Sequence, residues 1–395
     1  MTHRFVVRFF SPEEEKLFAQ CLEDMPFSDD VIVQQLGRIG FSGAKVFMFF
    51  PSGENSRPHV GKIHTNRGIE REIEGLKIAF NYYEDAGQRT FDVRNDTEGM
   101  IAIPLIGAAS ADGRLPSVTE LKDLLFAKSE NPDATPGSDA FYFKSHDEVL
   151  SIIDGIYKSC CGRALAATSV EGRILGEEYE WYIRKNVTEP MLRCFLGNMH
   201  AEAEIHIFGY KFKNPLIKVK ELLATRRMLP LSVVHGDLHP SNVVLDIRGN
   251  PHLLDFTWCR PSSHVLKDFL VMECSIRFLM LPKYLSWEAN YHINNTFMHL
   301  EEDDISELKA KLIVLSVDNE TIAHIERCAK ITQRIRQHAA VACGTNFDIC
   351  DYIACQALVL YGLMRIERYP FANCALALAQ MGQFLVERGF KSNAP

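Results

Sequence analysis

The chain has 395 residues, 47% of them hydrophobic, which is enough to bury a large core and predicts two packed lobes. A formal net charge of -8 without a Lys/Arg stripe predicts no nucleic-acid partner, because counterion release needs a concentrated basic surface. Eleven cysteines without a CxxC pair fit neither a disulfide framework nor a zinc ribbon, so we predict reduced thiols and a cytoplasmic location.

The first predicted element is a helix. Residues 1–10 lack the long apolar core and the small-residue cleavage site of a signal peptide, and we expect them to be folded protein. Residues 11–24 begin with a potential N-cap, Ser11, and continue with three acids in the first turn and apolar residues at helical spacing. These features predict an accessory helix within residues 1–29.

Short β-rich runs follow from residue 31. They are separated by turn-forming Gly, Pro, Asn and Ser residues, and they lie at 31–36, 44–50, 58–64, 90–94 and 99–106. Apolar periodicity predicts one helix between the third and fourth runs, over residues 68–83. The pattern therefore predicts an α+β lobe at residues 30–106, with a five-stranded antiparallel sheet and one main helix.

The rest of the chain, residues 107–395, is predicted to be mainly helical. A polar connector covers residues 107–117, and beyond it only two short apolar runs, at 243–245 and 252–256, have the pattern of strands. The most apolar stretch, residues 269–281, is interrupted by two charges and is too short to cross a bilayer. We expect a buried helix there and no membrane partner.

Residues 232–256, SVVHGDLHPSNVVLDIRGNPHLLDF, carry the most informative pattern. Asp237 lies five residues before Asn242 in a Pro-containing loop, and a predicted hairpin turning at Gly249 brings Asn242 and Asp255 to one end. Phosphoryl transfer needs a carboxylate that accepts the proton of the attacking hydroxyl and oxygen ligands that hold Mg²⁺. Asp237 suits the first role, and Asn242 with Asp255 suits the second; the alternative is that these polar residues only cap turns.

The motif HGDLHPSN followed by LLDF resembles the catalytic and metal-binding loops of the aminoglycoside phosphotransferase and choline kinase-like family, relatives of protein kinases. The resemblance implies a bilobal protein-kinase-like fold, with ATP and Mg²⁺ as cofactors in the cleft between the lobes. It implies that Asp237 is the catalytic base, that Asn242 and Asp255 hold the metal, and that His235 supports the catalytic loop. The strong part of the resemblance covers residues 230–280. Elsewhere only the order of the predicted helices and strands is similar.

A glycine-rich segment lies between the first two predicted strands. In GRIGFSG, bare backbone can approach phosphates and donate N–H groups to them, and the candidate residues are Gly37, Gly40, Ser42 and Gly43. The spacing is neither that of GxGxxG nor that of a P-loop, so a glycine-rich hairpin turn is the alternative.

Lys62 lies on the third predicted strand, on the same face as Val60, so that Val60 faces the adenine while the ammonium reaches the phosphates. The alternative is a solvated surface lysine. In the helix that follows, the spacing of Ile69, Glu72 and Leu76 places Glu72 on the inward face. We predict that Glu72 pairs with Lys62, which resembles the Lys–Glu pair of kinase N-lobes.

Downstream of Asp255 the sequence departs from the family pattern. The Gly-Asp-Pro of many members is missing, and Asp268-Phe269 stands in its place. Asp268 is expected either to accept backbone N–H groups of the catalytic loop or to N-cap its own helix. The acid-rich segments 176–185 and 301–307 are either candidates for holding a cationic acceptor or solvated helix faces.

Together these features predict an ATP- and Mg²⁺-dependent phosphotransferase that moves the γ-phosphate to a hydroxyl of a small molecule. Three alternatives stay open: a nucleotidyl transferase on the same fold, a protein kinase, and a nucleotide-binding pseudokinase that acts as an interaction module. The joint presence of Lys62, Asp237, Asn242 and Asp255 disfavours the pseudokinase.

Overall fold

The computed structural model describes residues 10–25, 31–36, 43–51, 57–86, 90–105, 118–129, 134–136, 138, 141–183, 187–300 and 302–391. The strands, in chain order, are β1 Val31–Gln35, β2 Lys45–Pro51, β3 His59–Thr65, β4 Phe91–Arg94, β5 Glu98–Pro104, β6 Thr119–Glu120, β7 Ser169–Ile174, β8 Glu204–Ile207, β9 Tyr210–Lys213, β10 Arg226–Val234, β11 Val243–Leu245, β12 Pro251–Leu253 and β13 Arg260–His264. The helices are α1 Pro12–Glu23, α2 Asn66–Ala79, α3 Leu121–Leu124, α4 His146–Asp154, α5 Gly162–Leu165, α6 Leu175–Glu178, α7 Glu180–Ile183, α8 Thr188–Leu196, α9 Pro215–Ala224, α10 Leu266–Ser275, α11 Trp287–His299, α12 Glu302–Val314, α13 Asn319–Cys343, α14 Ile349–Leu363 and α15 Phe371–Glu387. Within the described residues, none of these helices is long and apolar enough to cross a membrane.

The first five strands form one antiparallel sheet in the order β1-β2-β3-β5-β4. The predicted sheet is therefore confirmed, and so is its main helix, although α2 ends at Ala79 and not at residue 83. The predicted helix at residues 11–24 is also observed, and it begins at a capping box between Ser11 and Glu14.

Alternation along β2 gives this sheet two different faces. Phe47 and Phe49 point to the face that α1 covers with Leu17 and Phe18. Met48 belongs to the apolar cluster on the opposite face, whose other buried members include Phe50, Val60, Val244 and Leu254. The accessory helix and the predicted catalytic segment thus meet opposite faces of the same sheet.

The predicted hairpin at 243–245 and 252–256 is observed as β11 and β12, with β6 on the other side of β11. It turns at Gly249, whose φ of +83° is a conformation that favours glycine. The Leu254 N–H donates to the Asn242 carbonyl oxygen over 2.9 Å, so the chain on either side of the hairpin is paired up to the residue before Asp255.

By packing, the chain divides into two compact units. The first comprises Met1–Leu125, Asp154–Leu165 and Val233–Pro261, and the second comprises Phe126–Ile153, Ala166–Ser232 and Ser262–Pro395. The segment with the predicted catalytic and metal loops therefore packs with the sheet, because its apolar side chains enter the core beneath the sheet. The predicted boundaries at residues 29 and 106 fall on segments outside the described residues and stay predictions.

The second unit is mainly helical, as predicted, but the expectation of a single pair of strands beyond residue 117 is wrong. Strand β7 pairs with β10, and β8 with β9, in addition to the short β6 and β13. Strand β7 has no apolar alternation, and its partner lies more than 50 residues away, so local patterning did not mark it. The five-stranded antiparallel sheet, its one main helix and the mainly helical second unit make this an α+β, bilobal protein-kinase-like fold.

Candidate active site

The centre of the site is a buried ion cluster around Lys62. Strand β3 carries this residue, and its Nζ atom lies 2.6 Å from Glu72 Oε2 and 2.8 Å from Asp255 Oδ1. It also donates to the Thr257 hydroxyl over 3.0 Å, so all three N–H groups of the ammonium have a partner. The lysine is 4% exposed and Glu72 is fully buried, which excludes the solvated-lysine alternative.

Helix α2 supplies Glu72 because its apolar stripe turns this residue inward. Ile69 and Leu76, three residues before it and four after it, are buried on the same face. Glu70 is exposed and pairs with Arg94 over 2.9 Å, as expected of the opposite face. The structure therefore brings Lys62 and Glu72 together as the sequence pattern predicts.

Glu72 also binds the backbone of the predicted metal loop, which begins at Asp255. Its Oε1 atom accepts the Phe256 N–H over 2.9 Å, while the Thr257 hydroxyl donates to Oε2. Close approach is possible because α2 carries Gly75 at the contact, where an added Cβ would lie 1.8 Å from the Phe256 carbonyl oxygen. Helix and loop thus touch backbone to backbone.

Asp255 begins the predicted metal loop in a left-handed conformation, with φ 63° and ψ 75°. Asp tolerates this region better than most residues, and its Oδ1 atom accepts the Thr257 N–H over 3.4 Å. The left-handed turn directs the carboxylate toward Lys62, while Phe256, the next residue, enters the core and is 1% exposed.

Burial and charge act against each other in this cluster. Burial disfavours the Lys62 ammonium, but Asp255 and Glu72 outweigh it and raise the pKa of the lysine. Burial likewise opposes ionisation of Asp255, but the Lys62 charge and the hydrogen bonds hold the pKa of Asp255 well below its ordinary value. Burial raises the pKa of Glu72, and the Asp255 charge adds to this although Lys62 opposes it. With both carboxylates ionised, the cluster has one negative charge in excess, which a cation would balance.

The predicted catalytic loop is anchored by His235, which is fully buried. Its Nε2 atom lies 2.9 Å from the Leu254 carbonyl oxygen, and its Nδ1 atom accepts the Asp237 N–H over 3.4 Å. Between them Gly236 has a φ of +85°, and a Cβ there would lie 2.3 Å from the Trp258 carbonyl oxygen. His235 therefore joins the loop of Asp237 to the chain just before Asp255.

Asp237 itself is at the surface of this loop, with 33% of its side chain exposed. Its carbonyl oxygen accepts the Asn242 Nδ2–H over 2.8 Å, which fixes the amide of Asn242. Within the described residues the Asn242 Oδ1 atom accepts no hydrogen bond, so the amide oxygen is left for a ligand. Together with the Asp255 carboxylate, 23% exposed, it offers the oxygen donors that Mg²⁺ prefers. The residues present therefore fit a magnesium site.

Three of the predicted phosphate-loop residues, Gly37, Gly40 and Ser42, lie outside the described residues. Gly43 is described and has a φ of +79°, with open space around its Cβ position. Val60 is 5% exposed and packs in the apolar cluster beneath the sheet, on the face that also carries Val244.

Pattern analysis missed Thr257, whose hydroxyl bridges Lys62 and Glu72. The sequence feature that could have indicated this role is the position of Thr257 directly after Asp-Phe in the motif. It also missed His252, whose Nδ1 atom lies 2.9 Å from the Asp85 carboxylate. Burial disfavours the charged imidazole, but Asp85 and Asp246 outweigh it and raise the pKa of His252. This contact ties the turn after α2 to strand β12.

Two expectations outside the site need correction. Asp268 lies fully buried in the first turn of α10, but the N-cap residue of that helix is Val265, so the capping alternative is wrong. In the acid-rich segment 176–185, Glu178 is buried and pairs with Lys267 over 2.6 Å and with Arg173 over 2.8 Å. That carboxylate belongs to the packing of the second unit. In the segment 301–307, residue 301 lies outside the described residues.

The chain thus combines a protein-kinase-like fold with a buried cluster of Lys62, Glu72 and Asp255. The sequence matches the family described as "Ternary complex associated domain 9" over residues 160–361, just over half of its length, and the chain belongs to this family. A comparison with curated protein sequences found no significant match.

Solved structures with a similar fold include three phosphotransferases. The macrolide 2'-phosphotransferase type I is 12% identical, with a TM-score of 0.36, over 88% of this chain and 96% of that one. The choline kinase LicA from Streptococcus pneumoniae is 14% identical, with a TM-score of 0.33, over 89% and 99%. The choline kinase from Cryptosporidium parvum is 14% identical, with a TM-score of 0.37, over 96% and 98%. At this level of similarity the names of these proteins assign neither an acceptor nor a nucleotide to this chain.

Proposed function

We propose that the chain is an ATP- and Mg²⁺-dependent phosphotransferase that moves the γ-phosphate to a hydroxyl group of a small molecule. The observation that carries this proposal is the buried cluster in which Lys62 contacts both Glu72 and Asp255. A buried ion cluster is a poor way to stabilise a fold, because the desolvation of its charges offsets much of their attraction. It is, however, the arrangement by which kinases hold a lysine for phosphates and an aspartate for metal.

Each side chain has a defined role in the proposed reaction. The Asp237 carboxylate orients the acceptor hydroxyl and accepts its proton, and its exposed oxygen atoms leave room for that acceptor. His235 holds this loop against the chain that precedes Asp255. Lys62 uses its three N–H groups on protein partners, so a bound phosphate replaces one of them, and Asp255 is the partner whose side chain is the more accessible.

The nucleotide is held from the sheet in this proposal. Val60 contacts the adenine, and the backbone N–H groups near Gly37, Gly40, Ser42 and Gly43 bind the phosphates. Mg²⁺, when bound by Asn242 and Asp255, neutralises charge on the phosphates.

The experiment is transfer from γ-labelled ATP to a pool of metabolites, read by mass spectrometry, with Asp237→Asn as the matched control. A phosphorylated small molecule that forms with the parent protein and not with the variant is the expected result. A transferred adenylate means a nucleotidyl transferase, and a phosphorylated protein in a parallel proteome pool means a protein kinase. The first outcome rejects the γ-phosphate as the group transferred, and the second rejects a small molecule as the acceptor.

Membership of a family named for association with a ternary complex favours a second candidate, a nucleotide-binding interaction module. The phosphotransferase transfers phosphate to an acceptor, whereas the interaction module binds the nucleotide without transfer. Mg²⁺-dependent ATP binding without transfer to any pool supports the module and rejects the enzyme.

A further inference from the structure

The helical second unit contains a cavity of about 1020 Å³. Part of its wall is apolar: Met298 at the end of α11, Phe347 before α14 and Phe384 on α15 line it. Met298 and Phe384 are 3% and 4% exposed, so they form a fixed surface. Such a wall suits the apolar body of a small ligand.

Another part of the wall is cationic. Arg336 of α13 and Arg388, directly after α15, both line the cavity, and so does His299. The Arg388 guanidinium lies 5.3 Å from the centre of the Phe384 ring, and its Nη2 atom is 3.4 Å from His299 Nδ1. Among the described lining residues, Asp304 is the one carboxylate. In the part of the wall that the structure describes, the two arginines therefore meet a single acid.

Behind this wall, the partners of Arg336 leave positive charge in excess. Its Nε and Nη2 atoms lie 3.0 and 2.7 Å from the Glu273 carboxylate, which Arg277 also approaches to 3.0 Å. Two guanidinium groups thus share one carboxylate. Tyr352 and Gln356 donate to the same carboxylate over 2.7 and 2.6 Å, so its acceptor positions are filled.

The Glu273 carboxylate is ionised, which fixes this charge balance. Burial opposes its ionisation, but Arg336 and Arg277 outweigh it and lower the pKa of Glu273 to about 2. The Nη1 atom of Arg336 and the Nη2 atom of Arg277 are buried and have no hydrogen-bond partner within the described residues. The described residues therefore supply fewer negative groups and acceptors than these two arginines can use.

Among the described residues, the buried network of Arg336, Arg277 and Glu273 has one positive charge in excess, and including Arg388 and Asp304 of the wall leaves this excess unchanged. Buried charges in proteins are paired, and a ligand that brings the missing negative charge completes the pairing. Apolar walls on the same cavity select an anion that is attached to an apolar body.

We propose that this cavity binds an anionic amphiphile, with a carboxylate or phosphate monoester head at the arginine-bearing wall and an apolar body against Met298, Phe347 and Phe384. This ligand site is additional to the proposed phosphotransfer site, and it does not depend on that activity. The head group of the ligand is recognised through charge-assisted contacts to arginine, which suit both a carboxylate and a phosphate monoester.

Four probes with the same ten-carbon tail test the head group by calorimetry on the full chain: decanoate, decyl phosphate, decanol and decyltrimethylammonium. Both anions should bind about tenfold or more tightly than decanol, and the cation should bind most weakly. The ratio of the dissociation constants for decanoate and decyl phosphate shows which of the two head groups the site prefers. Equal affinity for decanol and the anions overturns the proposal.

Two neighbouring residues on α13 provide a matched pair for locating the site. Ala340 lines the cavity, whereas Val341 is 80% exposed on the surface of the same helix. Ala340→Trp should fill the cavity and abolish decanoate binding, and Val341→Trp should leave it unchanged. Parent-like binding by folded Ala340→Trp protein places the ligand elsewhere and rejects the site.

Arg388→Gln removes one positive charge from the cavity wall without disturbing the buried network. Arg388 is exposed and makes no contact with Glu273. The substitution should lower the affinity for both anions about tenfold and leave decanol unchanged. Unchanged anion affinity contradicts the proposal even if Ala340→Trp does not fold.

Discussion

Gly75 offers a sharp test of how helix α2 holds the predicted metal loop. A Cβ added at this position would lie 1.8 Å from the Phe256 carbonyl oxygen. An ordinary contact needs about 3.5 Å, so Gly75→Ala must move the helix and the loop apart by roughly 1.5 Å. The atom that is met belongs to the backbone, so no side-chain rotation can relieve the clash.

The displacement acts directly on Glu72, one turn earlier on the same helix. Its Oε1 atom lies 2.9 Å from the Phe256 N atom and its Oε2 atom 2.6 Å from Lys62 Nζ. The Phe256 contact does not survive a shift of about 1.5 Å as a hydrogen bond, and the Lys62 contact is lost as well when α2 takes up the shift. Each charge-assisted bond is worth about 1.5–3 kcal/mol, and replacing a helical glycine with alanine returns about 1 kcal/mol. We therefore expect the free energy of local opening to fall by about 2–5 kcal/mol.

Hydrogen exchange at the Phe256 amide measures this opening directly. Exchange in Gly75→Ala protein should be about thirtyfold faster or more, which corresponds to the lower end of that range. The matched control is Gly382→Ala in α15, where the added Cβ meets only the flexible Lys218 side chain, at 3.3 Å. Exchange at Phe256 should be unchanged in the control. Parent-like protection in Gly75→Ala protein would refute the proposed contact between helix and loop.

The proposed roles of the site residues give distinguishable phenotypes. Asp255→Ala should remove the Mg²⁺-dependent part of ATP stabilisation in a thermal-shift titration, and the metal assignment fails if that part persists. Lys62→Met and Glu72→Gln should have non-additive effects on catalytic efficiency, because the carboxylate holds the ammonium in place; simple additivity in a double-mutant cycle removes Glu72 from the site. Asp237→Asn should slow single-turnover transfer by roughly two to four orders of magnitude with the dissociation constant for ATP unchanged, because this carboxylate faces the acceptor. Parent-like transfer excludes Asp237 as the base, and a parallel loss of ATP affinity assigns it to the metal instead.

Local periodicity predicted the sheet, its helix and the orientation of Glu72. Strand β2 alternates between two buried faces, and α2 repeats its apolar residues at helical spacing, so each pattern is complete within a few residues. The hairpin of β11 and β12 was predictable for the same reason, since its turn residue Gly249 lies between two short apolar runs.

Contacts between distant segments were beyond such patterns. Thr257 is 185 residues from Glu72 and 195 from Lys62, and it reaches both because the chain turns through a left-handed Asp255. Apart from its position directly after Asp-Phe, this threonine carries no sequence sign of such a role. Strand β7 likewise forms only because β10 lies beside it, and the sequence of β7 alone has no strand pattern.

Glu72 connects two parts of the site that sequence patterns treat separately. One oxygen of its carboxylate fixes the Lys62 ammonium and the other fixes the Phe256 amide. The position of α2 therefore sets the lysine and the metal loop together, and Asp255 follows because it is the residue before Phe256. Since Asp255 in turn contacts Lys62, the contacts close a ring in which each bond positions the groups that make the next. Loss of any one member should therefore loosen the others, so the Lys62 ammonium and the Asp255 carboxylate are positioned as one unit.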